Sequence, residues 1–100
     1  MAMADVQIKG SYIEVYDEKG KRISYMSASG KDVVGTASEY FVVVAGSYIE
    51  TYDSNCKRIA YMSSSGKTVK GASGNTFSVK NGSYIEIYDK DCKRQSYRSA

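Results

Sequence analysis

The 100-residue chain contains no histidine, no proline and no tryptophan. Without imidazole there can be no Ser-His-Asp relay and no histidine ligand for zinc, and without indole one of the usual aromatic ligand platforms is missing. Its two cysteines, Cys56 and Cys92, are too few for a disulfide-stapled mini-domain or a four-thiolate metal site, so no metal and no other cofactor is expected. No run approaches the roughly 18 apolar residues of a membrane helix, and Met1 to Gly10 lacks the apolar core of a signal peptide. A cytoplasmic protein with no membrane partner is the expectation. Charge of one sign is also scarce: 14 basic and 11 acidic residues leave a net +3, which favours solubility but gives little steering toward polyanions. Composition therefore argues against a nucleic-acid partner.

What is present is tyrosine, ten residues against two phenylalanines, in a chain whose 42% hydrophobic and 25% charged content is ordinary for a globular domain. That aromatic bias favours strands over helices. The string Gly-Ser-Tyr-Ile-Glu begins at Gly10, Gly46 and Gly82, a spacing of 36 residues. The chain divides accordingly into a partial unit over residues 1–9, full units over 10–45 and 46–81, and a truncated unit over 82–100. Together they form a single β-repeat domain. Each full unit holds four short strand-like segments separated by Gly, Ser, Asn or Asp, at hairpin spacing and too close for intervening helices.

In the first segment alternation puts Ile13 and Val15 on one face and Tyr12, Glu14 and Tyr16 on the other. The second segment is expected to place Ile23 and Tyr25 on one face and Arg22, Ser24 and Met26 on the opposite one. If Ile13 and Val15 are to meet Tyr25 and Ile23, residue i pairs with residue 38 minus i, and Tyr16 faces Arg22. The loop is then Glu18-Lys19-Gly20, with Gly20 in the left-handed position of a turn followed by a bulge. Cys56 and Cys92 occupy that position in the other units, where a β-carbon costs about 1 kcal/mol relative to glycine.

The run from Glu39 to Asp53, with an aromatic after a turn, Gly at the hairpin and a Tyr-Asp end, resembles the middle strands of short-blade β-propellers. The resemblance implies tandem four-stranded antiparallel meanders packed as blades, with Lys31 to Ser38 innermost and Lys57 to Met62 outermost. Three blades do not close a ring, so it further implies homo-oligomerisation, two copies giving six blades. The first blade has little room for an innermost strand, since Met1 to Asp5 is short for one. The segment Ser-Tyr-Ile-Glu-Val-Tyr-Asp also resembles the hairpins of bulb-type mannose-binding lectins, which implies the alternative of a monomeric three-sheet β-prism. That family's Gln-x-Asp-x-Asn-x-Val-x-Tyr motif, laid with its last residue on Tyr52, meets Val44, Gly46, Tyr48 and Glu50, so mannose binding is not implied.

Among residues able to carry chemistry, Glu14, Glu50 and Glu86 recur one period apart. A two-carboxylate hydrolase needs its acids closer together than equivalent places in successive sheets, and ion pairs with the diagonal Arg22, Arg58 and Arg94 are expected instead. Tyr12, Tyr16, Tyr48, Tyr52, Tyr84 and Tyr88 form a repeated stripe which, with those arginines, makes a candidate ligand-binding surface as well as packing material. Tyr16 opposite Arg22 offers a cation-π contact. Ser-x-Ser-Gly-Lys at Ser27 and Ser63 lacks the leading glycine and following helix of a phosphate loop and reads as a turn. No base stands beside Cys56 or Cys92 to activate them, and Lys57 and Lys93 are expected at most to lower their pKa slightly. Gln95 for Ile59, Arg98 for Met62, and Asp5 and Gln7 for Phe41 and Val43 read as polar ends that limit runaway head-to-tail stacking.

The expected function is a non-catalytic binding or interaction module on a homo-oligomeric scaffold, not an enzyme. Its first partner is another copy of itself, most simply in a homodimer, and its ligand is not specified by the sequence. A purely structural or assembly protein is one alternative, and a weak carbohydrate-binding or hydrolytic protein another.

Overall fold

The computed structural model describes residues 5–99, and every regular element among them is a β-strand. Met1 to Ala4, on which the expectation about an inner strand rests, lie outside the described residues. The first sheet contains β1 (Asp5–Lys9), β2 (Tyr12–Tyr16) and β3 (Arg22–Ser27). The middle sheet contains β4 (Lys31–Thr36), β5 (Tyr40–Ala45), β6 (Tyr48–Asp53) and β7 (Arg58–Ser63). The third contains β8 (Lys67–Ser73), β9 (Thr76–Asn81), β10 (Tyr84–Asp89) and β11 (Arg94–Ser99). All neighbours run antiparallel and follow chain order, so each sheet is a meander. The middle sheet takes β4 and β5 from the unit over 10–45 and β6 and β7 from the next, so sheets and sequence units are out of phase.

Three equivalent turns close the hairpins at Gly10, Gly46 and Gly82. Only their first central residue has positive φ, +57° to +60°, as a Gly-Ser pair provides in a type II′ turn. The longer loops that follow β2, β6 and β10 put Gly20, Cys56 and Cys92 at φ 78°, 60° and 58°, the left-handed position the sequence assigns to them. Each loop is anchored by an aspartate: Asp17 Oδ1 accepts the backbone N–H of Lys19 and Lys21, both at 2.9 Å, and Asp53 and Asp89 repeat the arrangement. The Ser27–Lys31 segment is a turn, and it carries the chain from the first sheet to the middle one.

The expected register holds only at the loop. Tyr16 pairs with Arg22, but Val15 pairs with Ser24 and Glu14 with Tyr25, because a second bulge inserts one residue beside Val15. Every position beyond it is therefore shifted by one. Ile23 and Met26 pack against the buried residues Ile13 and Val15, while Tyr25 stands on the opposite face with Glu14 and not with Ile23. The same shift recurs in the other two sheets.

The sheets stack face to face through two junctions. Ile13 and Val15 of the first meet Phe41, Val43 and Tyr52 of the middle sheet, and Val42 and Ile49 on that sheet's other face meet Phe77, Val79 and Tyr88 of the third. Being covered on both sides explains why β5 reads Tyr-Phe-Val-Val-Val without alternation, whereas the equivalent Thr-Phe-Ser-Val of β9 alternates. Each fully buried Phe or Val here stabilises by about 1.5 to 3 kcal/mol. The edge strands β4 and β8 lie against each other, so close that a β-carbon on Gly35 would stand 2.9 Å from Ala72 Cβ.

Candidate ligand-binding face

Each sheet carries the same five side chains on one face. In the first, alternation sets Tyr12, Glu14 and Tyr16 together, and the bulge adds Arg22 and Tyr25 from β3. Tyr12 and Tyr25 meet edge to face, with ring centres 5.6 Å apart. Arg22 lies over Tyr25 at 4.8 Å and reaches Glu14 Oε2 at 3.1 Å, while the Tyr16 hydroxyl donates to Glu14 Oε1. The middle sheet repeats this with Tyr48 and Tyr61 at 5.6 Å, Arg58 over Tyr61 at 4.7 Å, and Glu50 held by Arg58 at 3.2 Å and by Tyr52 at 2.7 Å. In the third, Tyr84 and Tyr97 lie 5.8 Å apart, Arg94 covers Tyr97 at 4.7 Å, and Glu86 accepts from Arg94 at 3.1 Å and from Tyr88 at 2.8 Å.

The expected Glu–Arg pairs thus form in all three sheets. With each arginine about half exposed, a pair contributes at most about 1 kcal/mol. The cation-π contact goes to Tyr25 and not to Tyr16, whose ring is instead approached by Lys9 at 5.5 Å. The stripe of tyrosines divides in two. Tyr12, Tyr48 and Tyr84 are half exposed, Tyr52 and Tyr88 are buried between sheets, and Tyr16 is intermediate. Tyr25, Tyr61 and Tyr97, also more than half exposed, complete the solvent-facing set. Their signal in the sequence is the recurring Lys-Arg-x-x-Tyr, which puts Arg and Tyr on one face only when a bulge lies between them.

Hydrogen bonding from Tyr16 above all, and then from Arg22, holds the Glu14 carboxyl below its usual range, and Tyr88 does the same foremost for Glu86. In return, burial first and the glutamate second push Tyr52 and Tyr88 up to about 12.

The cysteines sit in hairpin loops that reach the sheet junctions. Cys56 Sγ lies 3.3 Å from Ser24 Oγ of the first sheet, and Cys92 packs into the junction with the middle sheet. Burial raises both thiols, Cys92 to about 11, so the slight lowering expected from the neighbouring lysines is overturned by desolvation. Both are free. Among the described residues no group of three or more His, Cys, Asp and Glu side chains is arranged to hold a metal ion, and no helix is long and apolar enough to cross a membrane. The chain matches no protein-family model and no curated protein.

Proposed function

We propose that the protein is a non-catalytic interaction module: a rigid β-repeat body, propeller-like in its stacking, completed by a second copy and displaying the Tyr-Tyr-Arg-Glu cluster at intervals. The observation that carries this reading is the recurrence of that cluster in all three sheets with ring separations of 5.6 to 5.8 Å. Tyrosine presents recognition area at low entropic cost, and repetition multiplies weak contacts when a ligand spans several copies. A catalytic pair needs two groups driven to different protonation states. Here each glutamate is instead occupied by its own arginine and tyrosine. Stacking through two junctions, with the middle sheet covered on both faces, favours propeller-like closure over a prism built around a threefold axis.

Sedimentation equilibrium at micromolar concentration tests the scaffold, with twice the 11.0 kDa chain mass expected and a monomer contradicting it. Recognition is tested on an array of immobilised glycans and peptides with wild type and a Tyr12→Ala, Tyr48→Ala, Tyr84→Ala variant. Capture that the variant loses supports a recognition face, and half-exposed rings beside arginine make glycans the first class to try. Equal behaviour of the two proteins favours a purely structural role.

A further inference from the structure

The two internal junctions share one docking device. Where the first sheet meets the middle one, Ser24 Oγ donates to the carbonyl of Ser54 in the β6–β7 loop at 2.5 Å. Where the middle sheet meets the third, Thr51 Oγ1 donates to the carbonyl of Lys90 in the β10–β11 loop at 2.6 Å. Ser54 and Lys90 are 36 residues apart, so the loops are equivalent, and the third member of that set is Glu18 in the β2–β3 loop. The hydroxyls belong to equivalent cross-strand pairs, Val15 with Ser24 and Thr51 with Ala60. In each pair one residue is a hydroxyl and its partner is aliphatic or alanine. The third pair is Ile87 with Ser96, which repeats the first sheet's arrangement on the outward face of the third sheet.

One socket and one plug are therefore left over. Ser96 is exposed and its hydroxyl makes no hydrogen bond among the described residues, and Ile87 lines an open pocket of about 300 Å³ with Gly71, Ala72, Thr76 and Ser78. At the internal junctions the corresponding faces receive stacked aromatic pairs, Phe41 on Tyr52 and Phe77 on Tyr88. On the first sheet's outward face the same places hold Asp5 and Tyr16. The polar exchanges at the two ends are reciprocal: Asp5 and Gln7 replace apolar residues on one face, and Thr76 and Ser78 replace Tyr40 and Val42 on the other. Hydroxyls are thereby set to meet a carboxylate and an amide.

We infer that a second copy of this chain docks head to tail, its Asp17–Lys21 loop seated on the outward face of the third sheet, with Ser96 donating to the Glu18 carbonyl. Tyr16 of one copy enters the Ile87 pocket of the other, as Tyr52 packs on Val15 within the chain. Gly20 stands at the junction where Cys56 and Cys92 stand internally, so this seam carries no thiol. The inference rests on the homo-oligomer reading above and names its surfaces.

The internal contact of Cys56 with Ser24 supplies the test. A Gly20→Cys, Ser96→Cys variant recreates that contact across the seam with two thiols, and mild oxidation is expected to give a covalent dimer of twice the chain mass that neither single variant forms. Ile87→Arg, on an outward face and so compatible with folding, is expected to weaken association at least tenfold while the far-ultraviolet circular dichroism stays unchanged. A wild-type monomer overturns both the homo-oligomer reading and this seam. A wild-type dimer that neither cross-links in the double variant nor weakens with Ile87→Arg overturns the seam alone.

Discussion

A left-handed cysteine is a residue under strain, and two of them at equivalent positions need a physical reason. The strain is about 1 kcal/mol, and burying a thiol at a sheet junction offsets a similar amount. This compensation makes Cys56→Ala the damaging substitution, because it keeps the strain and loses the packing. It is expected to lower stability by about 1 kcal/mol, while Cys56→Gly stays within about 0.5 kcal/mol of wild type, both read from urea midpoints. Equal losses would mean the thiol contributes nothing. The buried tyrosines make a second prediction at this scale. Tyr40, Tyr52 and Tyr88 are each pushed to about 12, by burial above all. Unfolded tyrosine ionises near 10, so between pH 10 and 12 the unfolded chain has lost protons that the folded one keeps, and stability must fall as pH rises through that window. Thermal melts should show the melting temperature dropping there, with phenolate absorbance of these three rings appearing only on unfolding. A flat profile contradicts their burial.

At the level of elements, the strands, their order in the chain and the type of loop after β2 can all be read from alternation and turn residues. The second bulge cannot, because no glycine or other local breaker marks the extra residue at Ile23. What holds it is tertiary: the shift lets both Ile23 and Ser24 serve the junction with the middle sheet, one by packing and one by hydrogen bonding. The clusters follow from that shift, since it is what brings Tyr25, Tyr61 and Tyr97 to the same face as their arginines. Gly35 shows a second constraint that composition hides. A β-carbon there would stand 2.9 Å from Ala72 Cβ and 3.1 Å from Ala72 N, and the backbone nitrogen cannot move aside. Gly35→Ala should therefore cost about 1 to 3 kcal/mol by overpacking the contact of β4 with β8. An unchanged denaturation midpoint would mean these two edge strands are free to separate.

For the molecule as a whole, the repeat foretold a body made of equivalent sheets, and the structure explains the unbroken apolar run of β5 by the middle sheet's burial on both faces. The hydroxyl-to-loop contact at the two internal junctions was not legible, because Ser24 and Thr51 sit at different positions of the repeat and become equivalent only once their strands are paired. Closure by two copies makes a definite claim about size. One chain has an α-carbon radius of gyration of 13.2 Å and extents of 40 × 25 × 18 Å, so two chains joined at one end only would form an elongated particle. Two chains joined at both ends form a compact one of about 16 to 17 Å, the value for some 200 globular residues. Small-angle X-ray scattering of the wild-type protein measures this directly: two-copy closure requires a radius near that compact value together with a doubled mass, and a single-chain mass with a radius near 13 Å rules it out.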